Sequence, residues 1–183
     1  LARTPEERAA YERMVLAKCD EAAELVEDLL THALADMDRI DVACRPTPAA
    51  PVLRASADAF AATVPIRCAE VDEALLLADP KRLGQVVDNL LANAAKHAPG
   101  AAVELRGTRR QGCYAIAVRD FGPGIAPEDM PFVKERFYRG SAAADVPGAG
   151  LGLFIAEHLV SRMGGSLHLR DAAPGRLAEV ELP

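Results

Sequence analysis

Residues 79–99 read DPKRLGQVVDNLLANAAKHAP. Asp followed by Pro is a common helix start, because the Asp side chain caps the first backbone N–H groups and Pro fits the first turn. The segment then repeats apolar residues at steps of three and four, as one face of a helix requires; these are Leu83, Val86, Val87, Leu90, Leu91, Ala94 and Ala95. Pro99 and Gly100 end the pattern. The stretch predicts an amphipathic helix from Asp79 to about His97.

The side of this helix away from the leucines carries Asn89, Asn93, Lys96 and His97, at a spacing that brings them together. Two asparagines in mid-helix lower the helix propensity relative to Ala, and packing gives no reason for them. A carboxamide oxygen is a suitable ligand for Mg²⁺, and a Lys ammonium group neutralises phosphate. The pattern favours a metal-phosphate site, although for this segment alone a solvated helix face is the simpler interpretation.

Two glycine-rich segments lie further along the chain. Asp120-Phe121-Gly122-Pro123-Gly124-Ile125 follows a predicted strand, where the carboxylate can accept from an exocyclic amine while the glycines let a ligand approach the backbone. Gly148-Ala149-Gly150-Leu151-Gly152-Leu153 opens a helix, whose free N–H groups and positive dipole end suit phosphates. Taken singly, the first is also an ordinary turn, and the second fits neither a Walker nor a Rossmann pattern.

The patterns around these segments predict a mixed sheet covered on one face by helices, an α+β architecture. Helical spacing covers residues 52–63 and 151–163. Strand patterns cover residues 65–71, 101–109, 112–119, 166–170 and 177–182. Arg110-Gln111 is the predicted turn between the two strands that form an antiparallel pair.

One long helix is predicted before this domain. Thr4-Pro5-Glu6-Glu7 has a capping-box pattern, and an apolar stripe continues to Met37, so residues 1–40 contain a helix of roughly thirty residues. At about 1.5 Å per residue it would be near 45 Å long, too long to lie across a small domain. Prolines 46, 48 and 51 predict a linker over residues 41–51, which leaves residues 52–183 as the second domain.

Composition excludes several classes of function. The 183 residues include 21 Lys+Arg and 27 Asp+Glu, and the net charge of −6 argues against a nucleic-acid partner, which would require a cationic face. No apolar run approaches the roughly 18 residues of a membrane span. The cysteines form no C-x-x-C pair and are expected to be reduced, mostly buried thiols: Cys19, Cys44, Cys68 and Cys113. The chain begins with Leu rather than Met and is interpreted as a piece of a longer protein.

Four motifs then occur in the order typical of one family. Residues 79–99 resemble the N box, residues 120–125 the first glycine box, Glu135-Arg136-Phe137-Tyr138-Arg139-Gly140 the F box and residues 148–153 the second glycine box of sensor histidine kinases of two-component systems. Their catalytic, ATP-binding domain shares a superfamily with gyrase, mismatch-repair and heat-shock chaperone ATPases. The resemblance spans about residues 40 to 183 and implies a Bergerat-type α/β sandwich with a lid over residues 126–149. Residues 5–40 resemble the second helix of the dimerisation hairpin.

The resemblance also implies roles for individual residues. Asn93, helped by Asn89, would bind Mg²⁺, and Asp120 would bind the adenine amino group. Asn89, Lys96 and Arg139 would be the catalytic residues, with Arg139 reaching the terminal phosphate. ATP would be bound by Asn89, Asn93, Lys96, His97, Asp120, Gly122, Gly124, Ile125, Tyr138, Arg139, Gly148, Gly150, Leu151, Gly152 and Leu153. Phe121 departs from the family, where Asn is commoner, and this change is expected to alter local packing rather than the adenine contact.

One position bears on the type of reaction. Relatives that hydrolyse ATP have a Glu four residues before the Mg²⁺-binding Asn, whereas this chain has Asn89 there. A carboxamide cannot take a proton near pH 7, so transfer to a protein nucleophile fits better than hydrolysis. In the family the acceptor is a His followed by an acidic residue and a Pro, and none of the four histidines has this context: His32, His97, His158 and His168. The acceptor is therefore expected outside this chain.

The expected function is Mg-ATP-dependent phosphorylation of that acceptor His in two-component signalling. The implied partners are the phosphoacceptor helix of the same kinase and a response regulator, and the full-length protein would be a homodimer. Its location would be cytoplasmic, in the cytoplasmic part of a membrane-bound sensor. The isolated chain would bind nucleotide without autophosphorylation. Two alternatives are a non-catalytic regulatory or partner-binding module with a similar pocket, and a serine kinase of the anti-sigma type.

Overall fold

The computed structural model describes Val15 and residues 41–140 and 149–183. The chain divides into two units, Leu1–Asp41 and Val42–Pro183, and the helices and strands described belong to the second unit. The helix expected within residues 1–40 lies, apart from Val15, outside the described residues. In chain order the elements are β1 (Arg45–Pro48), α1 (Ala49–Phe60), β2 (Ile66–Val71), β3 (Leu75–Ala78), α2 (Pro80–His97), β4 (Val103–Arg110), β5 (Cys113–Arg119), α3 (Gly152–Arg162), β6 (Ser166–Asp171) and β7 (Arg176–Leu182).

A five-stranded mixed sheet forms the centre of this unit, in the order β2-β4-β5-β7-β6. β2 is parallel to β4, and the other neighbouring strands are antiparallel. Arg110 pairs with Cys113, so the turn between β4 and β5 is Gln111-Gly112 rather than the predicted Arg110-Gln111. β5 and β7 pair with Arg119 opposite Leu177, which places the residue after β5 beside the first residue of β7.

Helices cover one face of this sheet, and α2 packs against both α1 and α3. The predicted apolar stripe of α2 is buried except for Ala95, which is only partly buried, because removing apolar side chains from water is the main favourable contribution to folding. The core consists of fully buried side chains from the helices and the inward face of the strands, among them Leu53, Leu83, Leu90, Leu91, Leu105, Ile116, Leu159 and Val180. The predicted α+β architecture is confirmed.

A separate two-stranded sheet shows that the predicted linker is wrong over its second half. β1 pairs antiparallel with β3, and the buried Thr47 hydroxyl donates to the carbonyl of Ala78 at 2.8 Å. Pro46 and Pro48 are tolerated because β1 has only one strand partner in this sheet, and an edge strand does not need every backbone N–H. Pro51 lies in the first turn of α1, where a backbone N–H has no partner within the helix. Residues 45–51 are therefore part of the folded unit. Two further differences are that β3 was not predicted from the sequence and that α1 begins at Ala49, three residues before its predicted start.

The other face of the five-stranded sheet carries charged side chains. The Glu179 carboxylate forms salt bridges with Arg110 Nη2 at 2.8 Å and with Arg170 Nη2 at 2.6 Å. Glu179 is only 5% exposed. The Arg110 hydrogen bond is the largest cause that lowers the pKa of Glu179. This face is thus held by ion pairs away from the helices.

The cysteines differ from expectation. Cys44 and Cys68 are exposed and Cys113 is partly buried, so the predicted burial is wrong for the described thiols, while their free state agrees with the prediction. Cys19 lies outside the described residues. In the described part of the chain, no helix combines the length and hydropathy that a membrane span requires.

Candidate functional site

A cleft of about 280 Å³ lies between α2, residues 124–140, the start of α3 and the first residue of β7. The predicted binding residues that line it are Asn89, Asn93, Lys96, His97, Gly124, Ile125, Tyr138, Arg139, Gly150, Leu151, Gly152 and Leu153. Asp120 and Gly122 are not among its lining residues, and Gly148 lies outside the described residues. The cleft therefore brings together residues from α2, from residues 124–140, from the start of α3 and from β7, which are separated in the sequence.

Helix α2 forms the polar wall of the cleft. Because its apolar stripe packs inward, Asn89, Asn93 and Lys96 emerge at successive turns on the cleft side. Lys96 is exposed, whereas both asparagines are partly buried. The buried Nδ2 atom of Asn89 has no hydrogen-bond partner among the described residues. A buried polar atom without a hydrogen bond lowers the stability of the folded chain, and a group bound in the cleft would supply the missing hydrogen-bond partner.

Asn93 is held by two neighbouring side chains. With its amide in the orientation that satisfies both, Oδ1 accepts from the Arg176 guanidinium at 3.1 and 3.2 Å, and Nδ2 donates to His97 Nε2 at 3.2 Å. A His nitrogen that accepts belongs to a neutral imidazole. Burial lowers the pKa of His97, and the positive charges of Arg176 and Lys96 lower it as well, against the opposing effect of Asp120. His97 is therefore mainly neutral at pH 7.

Asp120 and Arg176 form a buried ion pair beneath the cleft. Arg176 Nη2 lies 3.1 Å from Asp120 Oδ2, and Asp120 Oδ1 accepts from the backbone N–H groups of Gly122 at 3.1 Å and Arg176 at 3.2 Å. Asp120 is 2% exposed and Arg176 6% exposed. Burial lowers the pKa of the Arg176 guanidinium, and the adjacent carboxylate opposes this shift. The predicted adenine-binding carboxylate is thus covered by a guanidinium that itself lines the cleft.

The F-box segment closes the cleft on another side. The Tyr138 hydroxyl donates to Asp129 Oδ1 at 2.7 Å, and this hydrogen bond raises the pKa of Tyr138. Gly150 has a φ of 68°, and a Cβ there would lie 2.6 Å from the carbonyl oxygen of Tyr138. Gly150 is required both for this left-handed conformation and for the close approach of the two backbones. The second glycine box is therefore packed against the F box.

The first turn of α3 also faces the cleft. The helix begins at Gly152, and no side chain caps its N-terminus. Leu151 and Leu153 are nearly buried and line the cavity, so the first N–H groups of α3 lie at its edge. A helix N-terminus attracts anions, through unpaired N–H groups and the positive end of the helix dipole.

Arg176 is the main functional candidate that sequence reasoning missed. Other missed lining residues are Ala92, Ala126, Asp129, Val133, Gly140 and Ala149. Arg176 starts the last strand, 56 residues after Asp120, and only the pairing of β5 with β7 brings the two together. Nothing in the sequence around Gly175 and Arg176 indicates a contact with Asp120. Predicting this contact would have required knowledge of the strand order in the sheet.

The donor set of the cleft fits a phosphate ester accompanied by a cation. Lys96, Arg139 and the start of α3 supply positive potential, and the Asn89 and Asn93 amides supply neutral oxygen ligands of the kind Mg²⁺ accepts. The unsatisfied Asn89 amide points to a missing partner, which a phosphate oxygen would supply or, with the amide turned over, a cation. The described residues contain no cluster of three or more His, Cys, Asp or Glu side chains arranged for a metal.

Comparisons with known proteins agree with this cleft. The family described as histidine kinase-, DNA gyrase B- and HSP90-like ATPase matches residues 78–183. The signal transduction histidine-protein kinase/phosphatase MprB of Mycolicibacterium smegmatis is 46% identical over 99 residues, which are 53% of this chain and 20% of that protein. This chain thus spans about a fifth of the length of the curated relatives it matches.

Solved structures give the same result. A mycobacterial sensor histidine kinase MprB superposes with a TM-score of 0.70 at 32% identity, over 76% of this chain and 97% of that one. Full-length ShkA in complex with AMPPNP superposes with a TM-score of 0.74 at 27% identity, over 100% of this chain and 40% of that one. The family match covers more than half of the chain, and it includes every box that lines the cleft. The chain therefore belongs to the family of histidine kinase-, DNA gyrase B- and HSP90-like ATPases, as an ATP-binding catalytic domain of the sensor histidine kinase type.

Proposed function

We propose that the cleft binds Mg-ATP and that this domain transfers the γ-phosphoryl group to a His on a helix outside this chain. The observation that carries the proposal is the convergence of the α2 amides, Lys96 and the uncapped start of α3 on one cavity. These groups come from the N box and the second glycine box, which are separated by some fifty residues in the sequence. A merely solvated helix face would not produce this arrangement.

The residues of the chain would act by binding and by electrostatic stabilisation. In the transfer, the bond between the γ-phosphorus and the β,γ-bridging oxygen breaks, a bond to an acceptor imidazole nitrogen forms, and ADP leaves. Charge on the phosphoryl oxygens would be stabilised by Lys96, Arg139 and the first N–H groups of α3. Asn89 cannot deprotonate a water molecule, so the domain would retain ATP for the acceptor instead of hydrolysing it.

Mg²⁺ would be held by the amide oxygen of Asn93, with Asn89 as a second candidate, and by phosphate oxygens. When bound, it would neutralise phosphate charge. For Asn93 to serve, its Oδ1 has to leave the Arg176 guanidinium, because the same atom occupies that hydrogen bond in this structure. Asn89 is the second candidate because its buried amide nitrogen has no hydrogen-bond partner among the described residues, so turning the amide over to present the oxygen would break no hydrogen bond of that nitrogen.

The wider role follows from the relatives. We infer a two-component system with a response regulator as the final phosphate acceptor, a homodimeric parent kinase and a cytoplasmic location for this domain. The support is the similarity to MprB, a signal transduction histidine-protein kinase/phosphatase, and to ShkA, whose structure is in complex with AMPPNP. The acceptor assignment rests on the absence, in this sequence, of a His followed by an acidic residue and Pro.

A nucleotide titration with matched lysine variants tests the proposal. Lys96 and Lys81 are both exposed on α2, but only Lys96 lines the cleft. We expect Lys96→Ala to weaken Mg-ATP binding about tenfold through loss of a charge-assisted contact. Lys81→Ala should leave the affinity unchanged, and AMP should bind native chain and Lys96→Ala equally. Isothermal titration calorimetry with ATP, ADP and AMP gives these values.

Two results would count against the proposal. Failure of native chain to bind ATP at millimolar concentration would refute the nucleotide assignment. An equal loss of affinity in both lysine variants would mean that the long-range field of the chain, rather than contact with phosphate, attracts the ligand.

A further inference from the structure

Arg176 separates the Asp120 carboxylate from the cleft. The guanidinium lines the cavity, whereas Asp120 lies behind it and is 2% exposed. Both carboxylate oxygens already have donors within the protein, Oδ2 from Arg176 and Oδ1 from two backbone N–H groups. A ligand that enters this part of the cleft therefore meets a donor first.

The position of the guanidinium is set by contacts on several sides. It binds Asp120 Oδ2 at 3.1 Å, and the Asn93 amide oxygen lies 3.1 and 3.2 Å from its two terminal nitrogens. The backbone is tied as well, because Asp120 N donates to the carbonyl of Arg176 at 3.0 Å. Gly175, with a φ of 91°, packs so closely on the Asp120 carbonyl that a Cβ would not fit. Arg176 is thus a preorganised group.

The chemistry of the guanidinium differs from that of a carboxylate. A carboxylate accepts only, so by itself it favours a base with an amino group at C6 and opposes a base with an oxo group there. A guanidinium donates only, and its planar donors match the O6 and N7 acceptors of a 6-oxopurine. Adenine offers it ring nitrogens only.

We propose that Arg176 is a base-reading residue of the nucleotide cleft and that it lets the cleft take 6-oxopurine nucleotides, GTP and ITP, as well as ATP. This inference rests on the proposed nucleotide site and concerns its base specificity. The Arg176 guanidinium donates to O6 of guanine or hypoxanthine, while the Asp120 carboxylate behind it keeps the guanidinium charged and oriented.

Competition binding of ATP, GTP and ITP to the native chain is the direct test, with UTP as the pyrimidine control. We expect GTP and ITP to bind within about tenfold of ATP, and UTP more weakly. Arg176→Ser should reduce the affinity for GTP and ITP at least tenfold more than the affinity for ATP, since the 6-oxo group then faces the uncovered carboxylate. Arg170→Ser, which removes a guanidinium on the far face of the sheet, should leave all ratios unchanged.

If the native chain binds ATP but binds GTP and ITP more than tenfold more weakly, the inference about Arg176 is wrong, while the proposed ATP site is retained. If no nucleotide binds, the proposed function itself fails. An equal effect of Arg176→Ser on all three purines would mean that Arg176 only supports the fold. Should that variant unfold, Arg176→Lys keeps a positive charge beside Asp120 without the planar donors, and it should show the same selective loss of GTP and ITP.

Discussion

At the scale of single residues, the cleft depends on one chain of contacts from Asp120 through Arg176 and Asn93 to His97. Its members come from the residue after β5, the start of β7 and the last turns of α2. Burial makes the protonation of His97 unfavourable, and the guanidinium in the middle of the network adds to this effect. The hydrogen bond from Asn93 requires the neutral ring. The network therefore links the pH of the medium to the residues proposed to bind metal and base.

This link predicts a pH-dependent stability. The pKa of His97 is lowered in the folded chain, so the unfolded chain binds the proton more tightly, and the free energy of unfolding falls as the pH drops below about 6.5. Above that value the effect vanishes. Urea unfolding at about pH 7.5 and about pH 5.5 should show a smaller loss for His97→Gln than for native chain. His168→Gln, which changes an exposed His on β6, should keep the native pH dependence; an unchanged dependence in His97→Gln would contradict the assignment.

At the scale of elements, α2 is the piece that positions the site, and its start is fixed by Asp79. Asp79 Oδ1 accepts from the N–H groups of Lys81 at 2.9 Å and Arg82 at 3.2 Å, and Oδ2 accepts from Ala43 at 3.1 Å. Burial raises the pKa of Asp79, but these backbone donors outweigh it, and the net shift is downward. One side chain thus caps the helix and joins it to the segment before β1.

Replacement of this cap tests its contribution. Asp79→Ala should lower the free energy of unfolding by about 1–2 kcal/mol, because the first N–H groups of α2 lose their acceptor. Asp79→Asn retains an oxygen for the cap and should cost clearly less. Urea denaturation near pH 7 measures both. Equal losses in the two variants would show that the charge of Asp79, rather than hydrogen bonding to the helix start, provides the stabilisation.

At the scale of the whole molecule, nucleotide binding and phosphate acceptance are proposed to lie on different polypeptide segments. The chain is therefore expected to bind Mg-ATP without becoming labelled. At a concentration of ATP about a hundred times Kd, binding contributes about 2.7 kcal/mol and should raise Tm by about 5–10 °C. Incubation with γ-labelled ATP should leave no covalent phosphate on the chain. Acid-labile label on any of its histidines would overturn the acceptor assignment, whatever the shift in Tm.

Elements with local signals could be predicted from the amino-acid sequence without any structure. The apolar period and the Asp-Pro start defined α2 within a residue, and the N box, the F box and the two glycine boxes together contain most of the residues that line the cleft. These features depend on neighbours a few positions away, so they can be recognised in one segment. The same logic misled at β1, where prolines that normally break structure lie in a short strand with one strand partner in its sheet.

The partner of the Asp120 carboxylate, in contrast, became known from the folded chain alone. Arg176 is brought close by the pairing of β5 with β7, a long-range contact that no local pattern encodes. The contact of Asn93 is a second example. The family resemblance implies that its amide binds Mg²⁺, whereas in the folded chain the amide oxygen accepts hydrogen bonds from the Arg176 guanidinium. The physical reason is that a buried charge has to be paired, and the strand order determines which partner is available.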